Sequence, residues 1–207
     1  MYRIDYSIKL VETSSGDSAV VIIAQHCPKL EKLRIHDQPI TITSLLALSE
    51  RGLPLQELTI SCIPYIPAAD MAKRCSHGLS RIRHLRTGNF HCGGQDTSIV
   101  LPYLTGLTSL ELNSSRQFSI HLITQHCHKL TKLEVTYYKC TVTDILSLCH
   151  ANPLLEEIYC NVCTITDTTL IELIHACPHI RTLDVPCATD ITDTGILALS
   201  EHCPQLQ

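Results

Sequence analysis

The chain has no tryptophan, two phenylalanines and two methionines, and aromatic residues make up only 4% of its 207 positions. Nor does it carry an excess of positive charge, since 16 basic residues stand against 20 acidic ones for a net charge of −4. Nucleic-acid binding draws on a cationic surface and on aromatic stacking platforms, so no nucleic-acid partner is expected. Long hydrophobic runs are also missing. The apolar run that begins at Ala19 gives way to Gln25 and His26, far short of the roughly 18 residues of a membrane-spanning helix. The opening stretch MYRIDYSIKLVE alternates polar and apolar residues. It lacks the apolar core of at least about seven residues that marks a secretory leader, which places the expected location in the cytoplasm or nucleus. Glycine is sparse too: the single adjacent pair, Gly93-Gly94, matches no phosphate-binding loop.

What the chain does have is a repeat. An L-x-x-L-x-I pattern recurs at Leu30/Leu33/Ile35, Leu55/Leu58/Ile60, Ile82/Leu85/Thr87, Leu107/Leu110/Leu112, Leu130/Leu133/Val135, Leu155/Ile158/Cys160 and Ile180/Leu183/Val185, in steps of 23 to 27 residues. Ile8 and Leu10 lie one step before the first of these, and Leu206 one step after the last. About eight repeats of ~25 residues therefore fill positions 1–207 as one domain, and both ends fall inside a repeat. Flanking sequence is expected for that reason, because a solenoid normally closes its terminal apolar faces with polar caps.

The final two apolar positions of each pattern have the period of two of a strand buried on one face. About ten residues later comes an apolar run at helical spacing, such as Leu45, Leu46 and Leu48, or Ile196, Leu197 and Leu199. Thr43, Thr143, Thr166 and Thr192 stand before these runs as candidate N-caps, and Asp144, Asp167 and Asp193 follow in the first turn, where the helix dipole favours a carboxylate. These aspartates are read as structural. Helices end at breaks such as Cys27-Pro28, Cys177-Pro178 and Cys203-Pro204. Parallel strands stack about 4.8 Å apart and helices about 8 to 10 Å apart, so such a stack bends toward its strands. The expected fold is an α/β leucine-rich-repeat solenoid, a horseshoe with a parallel concave sheet and convex helices.

Residues 160 to 207 carry a fuller unit: Cys163-Thr164-Ile165-Thr166-Asp167, Cys177-Pro178, Ile191-Thr192-Asp193 and the helix-and-break string Leu197 to Pro204. This unit resembles the cysteine-containing leucine-rich repeats of F-box substrate receptors. Upstream it decays, with Gly52, Leu79, Leu104 and Asn152 in place of the helix-end cysteine. The resemblance implies the substrate-recognition part of an SCF-type E3 ubiquitin ligase, joined to a cullin-type ligase through an F-box that would have to lie outside this chain. The other expectation is a binding domain of the ribonuclease-inhibitor or surface-receptor kind.

Twelve cysteines and twelve histidines invite a metal or a catalytic reading. Cys160-x-x-Cys163 has zinc spacing, but it has no partner pair. Most Cys-His neighbours follow from the repeat, since Cys27, Cys127, Cys177 and Cys203 share one slot at the helix end. Packing is the expected role of these cysteines, and free thiols their expected state. The histidines track helix ends without converging with a nucleophile and an acid. No cofactor, metal or enzymatic activity is expected. Asn113-Ser114-Ser115 is a glycosylation sequon of a kind that arises often by chance.

Binding is therefore assigned to the concave face, whose side chains flank the buried strand positions. Toward the amino end these are Lys9, Lys32, Arg34, His36, His84 and Arg86; toward the carboxyl end they are Glu111, Glu134, Glu157 and Asp184. Tyr159 is the aromatic anchor candidate, and Glu57 and Lys132 are exceptions to the charge order. A face of this kind would steer and orient a protein partner of complementary charge. Loops 61–69 and 88–97 are the alternative contacts, on the convex side.

Overall fold

The computed structural model describes residues 6–11, 16–36, 40–60, 79–87, 101–112, 120–162, 165–185 and 190–206. Among them are eight strands: β1 (Ser7–Val11), β2 (Lys32–His36), β3 (Glu57–Ile60), β4 (His84–Thr87), β5 (Ser109–Leu112), β6 (Lys132–Cys140), β7 (Glu157–Val162) and β8 (Thr182–Asp184). The six described α-helices are α1 (Gly16–His26), α2 (Ile42–Glu50), α3 (Ile120–His126), α4 (Val142–Ala151), α5 (Asp167–Ala176) and α6 (Asp193–His202). They fall into two compact units, one carrying β1 to β4 with α1 and α2, the other β5 to β8 with α3 to α6.

In the first unit the strands are parallel and follow chain order, and their apolar positions form columns. Ile8, Leu33, Leu58 and Leu85 are in register, as are Leu10, Ile35, Ile60 and Thr87. The second unit repeats the arrangement with Leu110, Leu133, Ile158 and Leu183, and with Leu112, Val135 and Cys160. Burial explains why these residues set the register. Leu33, Leu110, Leu133 and Ile158 are wholly inaccessible, and the leading residues of the pattern, Leu30, Leu55, Ile82, Leu107, Leu130, Leu155 and Ile180, are buried beside them. Each such side chain contributes about 1.5 to 3 kcal/mol relative to exposure, and a slip of one residue would turn the whole column toward solvent.

The helices begin at Thr41, Thr141, Thr166 and Thr192, all with extended backbone and a hydroxyl that accepts from a first-turn N–H. Thr166 and Thr192 are where the spacing put them, whereas Thr43 and Thr143 lie inside their helices. The reason is visible at α4. Thr141 Oγ1 accepts from Asp144 N–H at 3.2 Å while the Asp144 carboxylate accepts from Thr141 N–H at 2.9 Å. A reciprocal box of this kind needs the carboxylate three positions after the cap, which selects Thr141. At α2, Thr43 N–H itself donates to Thr41 Oγ1 at 3.2 Å.

The shared cysteine slot is real. Cys27, Cys127, Cys177 and Cys203 each donate their backbone N–H to the carbonyl four residues earlier, at 2.8 to 3.0 Å. The slot is more than apolar filling, because the Cys177 thiol donates to the carbonyls of Cys149 and Asn152, at 3.6 and 3.7 Å. Where the slot holds Asn152, this fully buried amide accepts from Leu130 N–H at 3.0 Å and donates to Leu148 O at 3.1 Å. Gly52 ends α2 at φ +60, a conformation that glycine adopts without strain. Histidines 26, 126, 150, 175 and 202 occupy last turns of their helices.

Candidate interaction faces

Between the buried columns the strands present ranks of polar side chains, because successive residues of a strand point to opposite faces. In the first unit Lys9, Arg34, Thr59 and Arg86 stand in one rank, and Ser7, Lys32, Glu57 and His84 in another; His36 pairs with Val11. Lys9, Arg34, His84 and Arg86 are exposed, while Lys32, His36 and Glu57 are half-buried. The structure thus brings together the six basic and histidine positions picked from the sequence.

Glu57 organises this face. Its carboxylate lies 3.1 Å from Lys32 Nζ and 3.6 Å from an Arg34 guanidinium nitrogen, through different oxygens. Each contact is partly solvated, so it contributes at most about 1 kcal/mol; its larger effect is to order two long side chains. Beside the cluster is a hollow of about 300 Å³ lined by Glu31, Lys32, Gln56, Glu57 and His84. A second, more apolar hollow of about 390 Å³ lies along β1, lined by Tyr6, Ser7, Ile8, Cys27, Pro28, Lys29 and Leu30.

The second unit inverts the pattern. Glu111, Glu134, Tyr159 and Asp184 form one rank, and Ser109, Lys132, Glu157 and Thr182 the other. Lys132 Nζ sits 2.8 Å from Glu111 and 3.6 Å from Glu134, and 5.5 Å from the centre of the Tyr159 ring. Burial alone would lower the Lys132 pKa. The Glu111 hydrogen bond and the charges of Glu111, Glu134 and Glu157 outweigh it and hold the ammonium above the usual lysine range. Tyr159 is half-buried, its hydroxyl 3.5 Å from the Glu157 carboxylate. Its ring and its hydroxyl thus both stand beside charged neighbours.

The two exceptions to the charge order, Glu57 and Lys132, are the ion-pair centres of their units, a role that the sequence reading missed. The signal was available: Lys32 and Glu57 stand 25 residues apart and Glu111 and Lys132 stand 21 apart, close to one repeat, which makes them neighbours across adjacent strands.

Cys27, Cys127, Cys149, Cys160, Cys177 and Cys203 are free thiols. Burial pushes Cys127 up to about 12, and burial with the nearby Asp184 charge does the same for Cys160. Among the described residues no group of three or more His, Cys, Asp or Glu side chains could hold a metal ion, and no helix is long and apolar enough to cross a membrane. Cys163, Gly93-Gly94, Asn113-Ser114-Ser115 and the loops 61–69 and 88–97 lie outside the described residues.

No protein-family model matches the sequence, and no curated protein does. The fold does have solved counterparts. One is a leucine-rich-repeat chain in the structure described as "Crystal structure of TLR13-ssRNA13 complex", similar at a TM-score of 0.60 and 14% sequence identity over 93% of this chain. This chain spans 30% of the length of that one. The likeness agrees with the in-register strand columns and the strand-then-helix order of both units, and together they establish the architecture as a leucine-rich-repeat α/β solenoid.

Proposed function

We propose that the chain is a single non-enzymatic domain for binding other proteins, and that it is the substrate-recognition part of an SCF-type ubiquitin ligase. The observation that carries the first half is the pairing, in each unit, of largely buried apolar columns with polar and charged ranks in register beside them. A rigid backbone holds these charges at fixed spacing, which suits recognition by surface complementarity and orients a partner as it arrives. The second half draws on the cysteine-containing unit of residues 160–207 and its resemblance to F-box substrate receptors. Free thiols accord with a reducing location in the cytoplasm or nucleus.

Affinity purification of the full-length protein from its native cell, followed by mass spectrometry, tests both halves. Co-purification of a cullin and its adaptor is the expected result. Recovery of secreted or membrane proteins instead would favour the ribonuclease-inhibitor or surface-receptor reading, for which the likeness to the TLR13 structure speaks. That structure contains a single-stranded RNA by its description. Here a protein partner is favoured by the mixed charge of both faces and by the 4% aromatic content. Two charge reversals probe the faces directly. Lys32→Glu with Arg34→Glu, and Glu134→Lys with Asp184→Lys, are each expected to abolish partner capture while circular dichroism stays unchanged. Full capture by both would move the binding site off the strands.

A further inference from the structure

We infer that the strand face of the first unit docks an acidic polypeptide segment, and that Glu57 is a resident carboxylate that weakens this docking. The inference rests on the interaction-domain reading and adds the chemistry of one partner segment and a control on its affinity.

The rank Lys9, Arg34, Thr59, Arg86 contains three cations and no anion, and Lys32 and His84 stand in the rank beside it. Glu57 is the one anionic side chain of these two ranks, and it is the least exposed of its cluster. Its side chain is 27% exposed, against 39% for Lys32 and 49% for Arg34. The cations are therefore more accessible to a partner than the carboxylate that orders them. A lysine ammonium has three N–H donors and an arginine guanidinium five in a planar fork, so one Glu57 carboxylate leaves donor capacity on the solvent side of both. Those donors suit carboxylates, and a guanidinium fork takes them two bonds at a time. The hollow beside Lys32, Glu57 and His84 gives an incoming side chain room to approach from the strand beginnings, with Glu31 also lining it.

Glu57 acts in two opposed ways. It pre-orders Lys32 and Arg34, which lowers the entropy lost when a partner binds. Its charge also repels an incoming carboxylate at close range. Glutamine at position 57 removes the charge and keeps one acceptor oxygen in place of the two that Lys32 and Arg34 now use, so it lifts the repulsion while retaining part of the ordering. The described ranks of this unit hold no phenylalanine, tyrosine or tryptophan, and a single-stranded nucleic acid depends on stacking. The separated cations, with Glu57 and Glu31 set among them, fit spaced carboxylates better than a continuous phosphate chain.

Fluorescence anisotropy of a labelled oligoglutamate peptide against the full chain tests the inference, with a single-stranded RNA of equal charge as the comparison. The peptide is expected to bind, and to bind more weakly as salt rises. Glu57→Gln should tighten it by about two- to fivefold, the scale of one partly exposed charge contact. Arg34→Gln and the exposed Lys9→Gln, which stands away from the Glu57 contacts, should each weaken it by a similar factor. An affinity that Glu57→Gln leaves unchanged or lowers would overturn the resident-carboxylate role. Binding of RNA without binding of oligoglutamate would overturn the acidic-segment docking. If neither probe binds while protein partners still co-purify with the chain, this inference fails and the interaction-domain reading stands.

Discussion

Asp167, in the first turn of α5, accepts two hydrogen bonds from Thr192, the N-cap of α6: the backbone N–H at 2.8 Å and the hydroxyl at 2.5 Å. Asp17 in α1 treats Thr41 of α2 the same way, accepting its N–H at 2.7 Å and its hydroxyl, and it also takes the Ser44 hydroxyl at 2.5 Å. Each carboxylate thus serves its own helix dipole and ties down the start of the next helix. The same device in both units identifies the first-turn aspartate as an inter-repeat clasp.

The clasps make stability depend on acid. At Asp17 burial alone would raise the pKa, but the bonds from Ser44 and Thr41 overcome it and hold the carboxyl below its ordinary 3.8; at Asp167 the Thr192 hydroxyl and N–H do so. A folded-state pKa that is depressed gives stability that is fully present above the unfolded value and is lost as pH falls through the folded one. We expect Asp17→Asn with Asp167→Asn to lower the urea midpoint at neutral pH, and the gap to the unsubstituted chain to narrow at about pH 2, as pH falls toward the depressed folded-state values. Urea titrations at the two pH values decide it; an equal gap at both would show that the carboxylate charge is irrelevant.

Gly195 lets α6 come close enough for the clasp. A Cβ there would stand 2.5 Å from Asp167 Oδ1, 3.0 Å from Ile191 Cγ2 and 3.2 Å from Leu170 Cδ2. In an isolated helix alanine is preferred to glycine by about 1 kcal/mol. Here Gly195→Ala should instead destabilise the chain by about 1 to 3 kcal/mol, the range for forcing a methyl into a packed contact. Thermal denaturation checks the sign, and a raised midpoint would mean that α6 shifts freely away from α5.

Asn152 replaces a cysteine and bonds Leu130 N–H and Leu148 O from a fully buried position. Asn152→Ala leaves the Leu130 N–H without its partner and should cost about 1 to 3 kcal/mol. Asn152→Cys restores the side chain used at this slot elsewhere and is expected to cost less. Equal losses for both, measured by chemical denaturation, would show that the amide bonds matter little.

Thiol chemistry should separate folded from unfolded chain. Burial pushes Cys127 up to about 12, and burial with the Asp184 charge does so for Cys160; at Cys149 a side-chain hydrogen bond with Cys177 that favours the neutral thiol, together with burial, raises the pKa as well. All three are buried. At pH 8 they stay neutral, and alkylation needs the thiolate. Iodoacetamide treatment read by peptide mass spectrometry should leave these three unmodified in the native chain and modify them in urea. Rapid native labelling of any of them would contradict its burial.

The strand columns were legible in the sequence because hydrophobic burial acts on each short segment alike and leaves the same L-x-x-L-x-I trace at every turn. The open ranks followed from the period of two, so Lys9, Lys32, Arg34, Glu111, Glu134 and Asp184 could be placed before any coordinates. Helix starts were legible to within two residues. Thr41 and Thr43 both carry the needed hydroxyl, and only backbone conformation distinguishes the cap from the residue inside it.

What the sequence by itself determined is periodic: the repeat length, the buried columns, the strand-then-helix order and the polar ranks, all set by side-chain hydrophobicity over a few residues. Tertiary structure alone decided which polar groups from neighbouring repeats meet. Glu57 between Lys32 and Arg34, Lys132 between Glu111 and Glu134, Asp167 on Thr192 and Asn152 on Leu130 are contacts between residues at most about one repeat apart in sequence, made when burial of the columns locks the register. A spacing of about one repeat marks such residues as near neighbours, but which of them bond is settled by distances of a few ångströms that exist only in the folded stack.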